Sequence, residues 1–212
     1  GTIYLGTDTF TFNNGSNYAI FLAKYDKDGD FVWGEAITTA AAANISKILI
    51  NSSNQVLLYG SYLAGTGSVT FGSYTLSRSA GVFLAFMNPN GTFTSAKDLA
   101  FSFFLAAGDI ALGPNDEVHA LMYLSGFGGG WSLLNGASTV SGSGYVRAVA
   151  KYNSTATSLL WHNAYSSNDV NGVGGIDVDR HGQIYFLASI VPNRTVLGTL
   201  SSSTNTNYLI WL

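Results

Sequence analysis

The run Phe21-Leu-Ala-Lys-Tyr-Asp26 returns as Phe83-Leu-Ala-Phe-Met-Asn88 and again as Ala148-Val-Ala-Lys-Tyr-Asn153. The last residues start a fourth copy, because Asn207-Tyr-Leu-Ile-Trp-Leu212 aligns with Asn17-Tyr-Ala-Ile-Phe-Leu22. A second block keeps the same phase. Asn54-Gln-Val-Leu-Leu-Tyr-Gly60, Asp116-Glu-Val-His-Ala-Leu-Met122 and Gly182-Gln-Ile-Tyr-Phe-Leu-Ala188 match one another and match Gly1-Thr-Ile-Tyr-Leu-Gly6. Ahead of each full copy of this block lies a further apolar run, at Ile45–Ile50, Asp109–Leu112 and Ile176–Val178. Trp33 and Trp161 share one equivalent position, where the middle copy has Ser95. A looser element is found at Val69–Leu76, Trp131–Leu134, Val196–Leu200 and Phe10–Phe12. Blocks that recur in a fixed order, here at a period of roughly 63 residues, are the mark of tandem structural units.

Each unit predicts about four strands rich in Val, Ile, Phe, Tyr and Thr, separated by turn residues such as Lys27-Asp-Gly29, Pro89-Asn-Gly91, Asn115-Asp116 and Arg180-His-Gly182. Asp-Gly and Asn-Gly between apolar runs suit tight hairpins, since glycine accepts positive φ without a Cβ clash. Helical periodicity is nearly absent, and Thr38–Ala43 is the only stretch that tolerates a helix. Four antiparallel strands per unit, with units in tandem, predict an all-β chain of β-propeller blades. The segments are residues 1–20 (the second half of a blade), 21–82, 83–147, 148–207 and 208–212 (the start of the next). No linker interrupts the phase, so 1–212 reads as a single propeller segment. Strand-like ends, GTIYLG and NYLIWL, predict that blades continue beyond the sequence or are completed by partner chains through open edges.

The apolar "FLAKYD", an Asp-Gly turn, a Trp, and then an "I-Y" strand and a "VTFG..TL" strand resemble the SBBP-type β-propeller repeats of secreted bacterial and archaeal proteins. Phe21–Trp33 and Asn54–Leu76 carry the resemblance, which extends over the chain and departs from the pattern at Phe86, Met87, Ser95 and Gly126–Gly130. It implies a scaffold and a secreted or surface location, and no particular activity.

Composition points the same way. Hydrophobic residues make up 47% of the chain, enough for a large core, while charged residues make up only 10%, against roughly 25% in ordinary soluble domains. Ser, Thr, Asn and Gly must then cover the surface, as in extracellular β proteins. Nine basic residues scattered through a chain of net charge -3 supply no phosphate-binding face, so nucleic acid is not an expected partner. The absence of cysteine excludes disulfides and thiolate chemistry. No apolar stretch reaches the ~20 residues of a spanning helix.

No residue constellation predicts catalysis, a cofactor or a metal. Asp26, Asp28 and Asp30 alternate as calcium ligands do, yet the loop lacks the glycine and glutamate of a calcium-binding loop, and a plain hairpin turn is the expected reading. Asp177, Asp179 and His181 also read as a turn. His119, His162 and His181 sit at unrelated phases, and Asp109, Glu117 and Asp177 would need the fold to gather them. Gly126–Gly130 reads as a blade-to-blade connection. Most aromatics recur and so belong to the core; Trp131 and Tyr145 do not, and are candidates for ligand contact. Glycan acceptors of the form Asn-x-Ser/Thr occur at Asn14, Asn44, Asn51, Asn90, Asn153 and Asn193. The expectation is a non-catalytic extracellular or cell-surface scaffold that displays loops or binds a protein or glycan partner. The alternatives are a filament or surface-layer subunit that self-associates through open blade edges, and a secreted glycan-active enzyme.

Overall fold

The computed structural model describes residues 2–5, 8–11, 19–39, 42–63, 68–126, 130–136, 138–166, 170–190, 194–196, 200–202 and 206–211. Among them every regular element is a strand and none is a helix. The chain begins with β1 (Thr2–Leu5), β2 (Asp8–Thr11), β3 (Ala19–Tyr25) and β4 (Phe31–Thr38). It continues with β5 (Ala42–Ile50), β6 (Val56–Leu63), β7 (Val69–Phe71), β8 (Tyr74–Leu76), β9 (Ala80–Met87) and β10 (Phe93–Ser102). Next come β11 (Leu105–Leu112), β12 (Val118–Ser125), β13 (Trp131–Asn135), β14 (Ser138–Gly142), β15 (Tyr145–Tyr152) and β16 (Leu159–Ser166). The last are β17 (Val170–Val178), β18 (Ile184–Ile190), β19 (Arg194–Val196), β20 (Leu200–Ser202) and β21 (Thr206–Trp211). Ala42 and Ala43, expected to tolerate a helix, open strand β5 instead.

Two complete meanders have one design. Strands β5, β6, β9 and β10 are neighbours in that order, as are β11, β12, β15 and β16, and β17, β18 and β21 form a three-stranded version. Every pairing is antiparallel. Among the described residues every sheet is open, so strand pairing alone gives an all-β assembly of meanders without closure into a ring. Between the second and third strand of each meander sits a small hairpin: β7–β8, β13–β14 and β19–β20. These hairpins are the looser sequence element, and they do not complete their own meander. β13 instead pairs with β10, the last strand of the preceding sheet, through Ala100↔Leu133, Phe101↔Ser132 and Ser102↔Trp131. The earlier hairpin reaches back in the same way through the Thr39↔Val69 bridge.

The meanders stack face to face, and alternation of side chains on each strand makes this work. On β9, Val82, Leu84 and Phe86 face one core with Leu57, Tyr59, Ala120, Met122, Ala148 and Ala150. The intervening Phe83, Ala85 and Met87 face a second core with Ile37, Leu58, Val69, Phe71 and Phe93. All eight residues of β9 are buried for this reason. A third core joins Leu121 and Val149 to Ile176, Ile184, Phe186 and Ala188. Each large side chain so buried contributes about 1.5–3 kcal/mol. Two buried tyrosines cross the first interface in opposite directions: Tyr59 Oη donates to the Leu121 carbonyl at 2.8 Å and Tyr152 Oη to the Leu99 carbonyl at 2.7 Å.

Candidate strand-accepting groove

All six hairpin turns at one end of the sheets share a geometry. Asp26, Asn51, Asn88, Gly113, Asn153 and Asp179 each accept a backbone N–H three residues on and donate their own N–H across the turn. The third position after each is in the left-handed region: Gly29, Asn54, Gly91, Asp116, Ala156 and Gly182. In four of the six turns the first-position side chain caps the turn. Asp26 Oδ1 accepts the N–H groups of Asp28 and Asp30, both at 2.9 Å. Asp179 Oδ1 accepts those of His181 and Gln183 at 2.8 and 3.0 Å, and these bonds hold its carboxyl below the usual range. Asn51 and Asn153 cap in the same way. The Asp26–Asp30 carboxylates therefore serve a turn, with Asp28 paired to Lys27.

The remaining carboxylates are dispersed. Asp109 links the three first strands of the meanders: it pairs with Lys47 of β5 at 2.7 Å and accepts the Ile176 N–H of β17 at 3.0 Å. Burial pushes its carboxyl up, but Lys47 and the backbone donors outweigh that and hold it below the usual range. Glu117 pairs with Lys151 at 3.2 Å, and Asp177 accepts its neighbour's N–H at Val178. No group of three His, Asp or Glu residues arranged to hold a metal occurs among the described residues. His119 is fully buried, with no hydrogen-bond partner on either ring nitrogen. His162 and His181 lie elsewhere, on β16 and in the Asp179 turn.

The two aromatics that break the sequence pattern part company. Trp131 is 6% exposed, packed in the first core, with Nε1 donating to the Ser143 carbonyl at 3.3 Å. It is not a ligand platform, because β13 lays it against the preceding sheet. Tyr145 stays half exposed. Phe103 and Phe104 form an exposed edge-to-face pair at the turn between β10 and β11. Gly126 and Gly130 flank a link within one unit, from β12 to its hairpin, rather than between units; residues 127–129 lie outside the described residues. Of the glycan acceptors, Asn44 and Asn90 are exposed. The Asn51 and Asn153 amides donate to Gln55 and Thr157, and Asn14 and Asn193 lie outside the described residues.

A roomy site lies at the first sheet. Among the described residues β3 pairs with β4 alone, whereas its counterparts β9, β15 and β21 are each flanked by a second strand, β6, β12 and β18. Beside the free edge of β3 opens a groove of about 570 Å³. Leu22, Tyr25, Trp33, Ile48, Ile50 and Val56 give it an apolar floor, and Lys24 and Asn54 lie at its border. Tyr25, Ile48 and Ile50 are about half exposed, an apolar patch of the sort that marks a contact surface. Sequence reading missed these residues because they look like core positions; only the unpaired neighbour exposes them. No protein-family model matches the chain, and no curated protein matches it.

Proposed function

We propose that the chain is a segment of a β-propeller that serves outside the cell as a non-catalytic scaffold, binding an extended partner segment at the free edge of β3. Antiparallel four-stranded sheets stacked through both faces are the construction of propeller blades, and the low charge supports an extracellular setting. The observation that carries the binding role is the unpaired edge of β3 beside an apolar groove. Backbone groups on such an edge pair with an added strand, and pockets for alternate side chains select it. The occupant follows from the other meanders: a strand of the β6, β12 and β18 type, seven or eight residues of largely apolar character, since the chain's own copy of that block, β1, is paired with β2.

A labelled peptide with the β6 sequence Val56–Leu63, carrying a lysine tail for solubility, tests this. Saturable binding that is lost in Ile48→Glu and Ile50→Glu, with a scrambled peptide silent, is the expected result. Absence of binding to the folded protein, or equal binding of the scrambled peptide, refutes it. A filament subunit is the second reading, in which the β3 edge takes up a strand of a second copy of the chain. Concentration-dependent polymers in micrographs would place that reading first.

A further inference from the structure

The tryptophan position of the repeat reveals a vacant slot. Trp33, opposite Lys24 on the β3–β4 pair, reaches the next meander's turn. Its Nε1 donates to the Pro89 carbonyl at 3.0 Å, and its ring lies over Gly91, where an added Cβ would stand 3.4 Å from the ring carbons. One meander further on, the same place is held by Ser95, opposite Phe86, and the facing turn is Asn153–Ala156. There a cavity of about 170 Å³ remains, lined by Gln55, Phe86, Thr94, Ser95, Ser154 and Thr155.

The first four positions of the turn that holds the indole at the first joint recur at the second, in a turn one residue longer. Ser154 stands where Pro89 does, one residue after the capping Asn, so its carbonyl corresponds to the Trp33 acceptor. Ala156 stands where Gly91 does, with a left-handed backbone at both. At Gly91 an added Cβ would stand 3.4 Å from the ring, at van der Waals contact, which is the place the Ala156 methyl takes at the second joint. Phe86 is 5% exposed and supplies an aromatic wall, while Gln55, Thr94 and Ser95 give a polar rim.

We propose that the Ser95 cavity binds a planar aromatic ring bearing an N–H donor, of the indole class, with the N–H directed at the Ser154 carbonyl. The pose is that of Trp33 at the neighbouring joint. The same chemistry is offered by free indole-type molecules and by a tryptophan side chain of a partner, and the proposal is independent of the β3 groove.

The test is a titration of the whole chain, isotopically labelled, with indole, N-methylindole and the peptide Gly-Trp-Gly. Saturable indole binding, with shifts concentrated at Gln55, Phe86, Thr94, Ser95, Ser154 and Thr155, is expected. N-methylindole, which lacks the donor, should bind at least about tenfold more weakly, the equivalent of one hydrogen bond of about 1.4 kcal/mol. Ser95→Trp should fill the slot and abolish binding. Equal affinity for Gly-Trp-Gly points to a partner's side chain, and indole binding without peptide binding points to a free small molecule. No saturation, equal binding of N-methylindole, or binding retained in Ser95→Trp overturns the proposal. The indole and N-methylindole comparison needs no variant, so the result stands even where Ser95→Trp does not fold.

Discussion

Replacing His119 with leucine should make the protein more stable and remove much of its sensitivity to mild acid. His119 is wholly buried, with both ring nitrogens unpartnered. Lys151 lies directly opposite on β15, Glu117 stands two residues before it, and the Trp161 ring is 6.4 Å away. Burial, with Lys151 adding to it and Glu117 partly opposing, lowers the imidazole from 6.5 to about 4. In the unfolded chain it titrates near 6.5. Above that pH neither state carries the proton, and the ring has no effect on pH dependence. Between 6.5 and about 4 only the unfolded chain takes up the proton, so stability falls by about 1.4 kcal/mol per pH unit. The loss is complete near pH 4, at roughly 3 kcal/mol. The equivalent position in the preceding meander is Leu57, itself buried, so leucine suits the site. Removing unpaired buried polar atoms adds about 1–3 kcal/mol at neutral pH. Urea unfolding followed by tryptophan fluorescence at pH 7, 5.5 and 4 measures both effects. The carboxylates contribute equally to the two proteins, so the difference isolates His119. A constant gap between them across this range would refute the reasoning.

Three other substitutions test the packing. Gly60→Ala places a Cβ 2.1 Å from the Asn44 carbonyl oxygen, a backbone atom that cannot step aside; a loss of about 3 kcal/mol or more, or failure to express in soluble form, is expected. Tyr59→Phe leaves the Leu121 carbonyl without its 2.8 Å donor and should cost about 1–2 kcal/mol in denaturant midpoint with the slope unchanged. Asp109→Asn weakens the Lys47 contact and the bond from Ile176, costing about 1–2 kcal/mol at pH 7. Because the native carboxyl is held low, wild type loses that advantage as pH falls below about 4, and the two unfolding curves should converge there.

Much of the fold is legible in the sequence because it depends on local chemistry. The Asp-Gly and Asn-Gly turns predict hairpins, and the largely apolar run Ala80–Met87 fits a strand buried on both faces. The matched block around Val56, Val118 and Ile184 falls on the second strand of each meander. What sequence does not reveal is which sheet a strand joins. Trp131 looks exposed because its element varies, yet β13 crosses to β10 and buries it. The groove is hidden for the same reason, since Ile48 and Ile50 have the character of core residues and only the solitary β3–β4 pair uncovers them. His119 was within reach: its alignment with Leu57 puts it on an inward face, whatever the positions of the other histidines.

The backward reach of the hairpins sets how the protein comes apart under load. The β13–β14 hairpin belongs to one meander by sequence and to its predecessor by hydrogen bonding. Pulling the chain from its C-terminal side would have to strip this hairpin from β10 before the earlier sheet lost its own strands. Pulling from the opposite side would meet β5 at a bare edge. Resistance to force should therefore be directional, and the smallest piece to rupture cooperatively is offset from the sequence period by one hairpin.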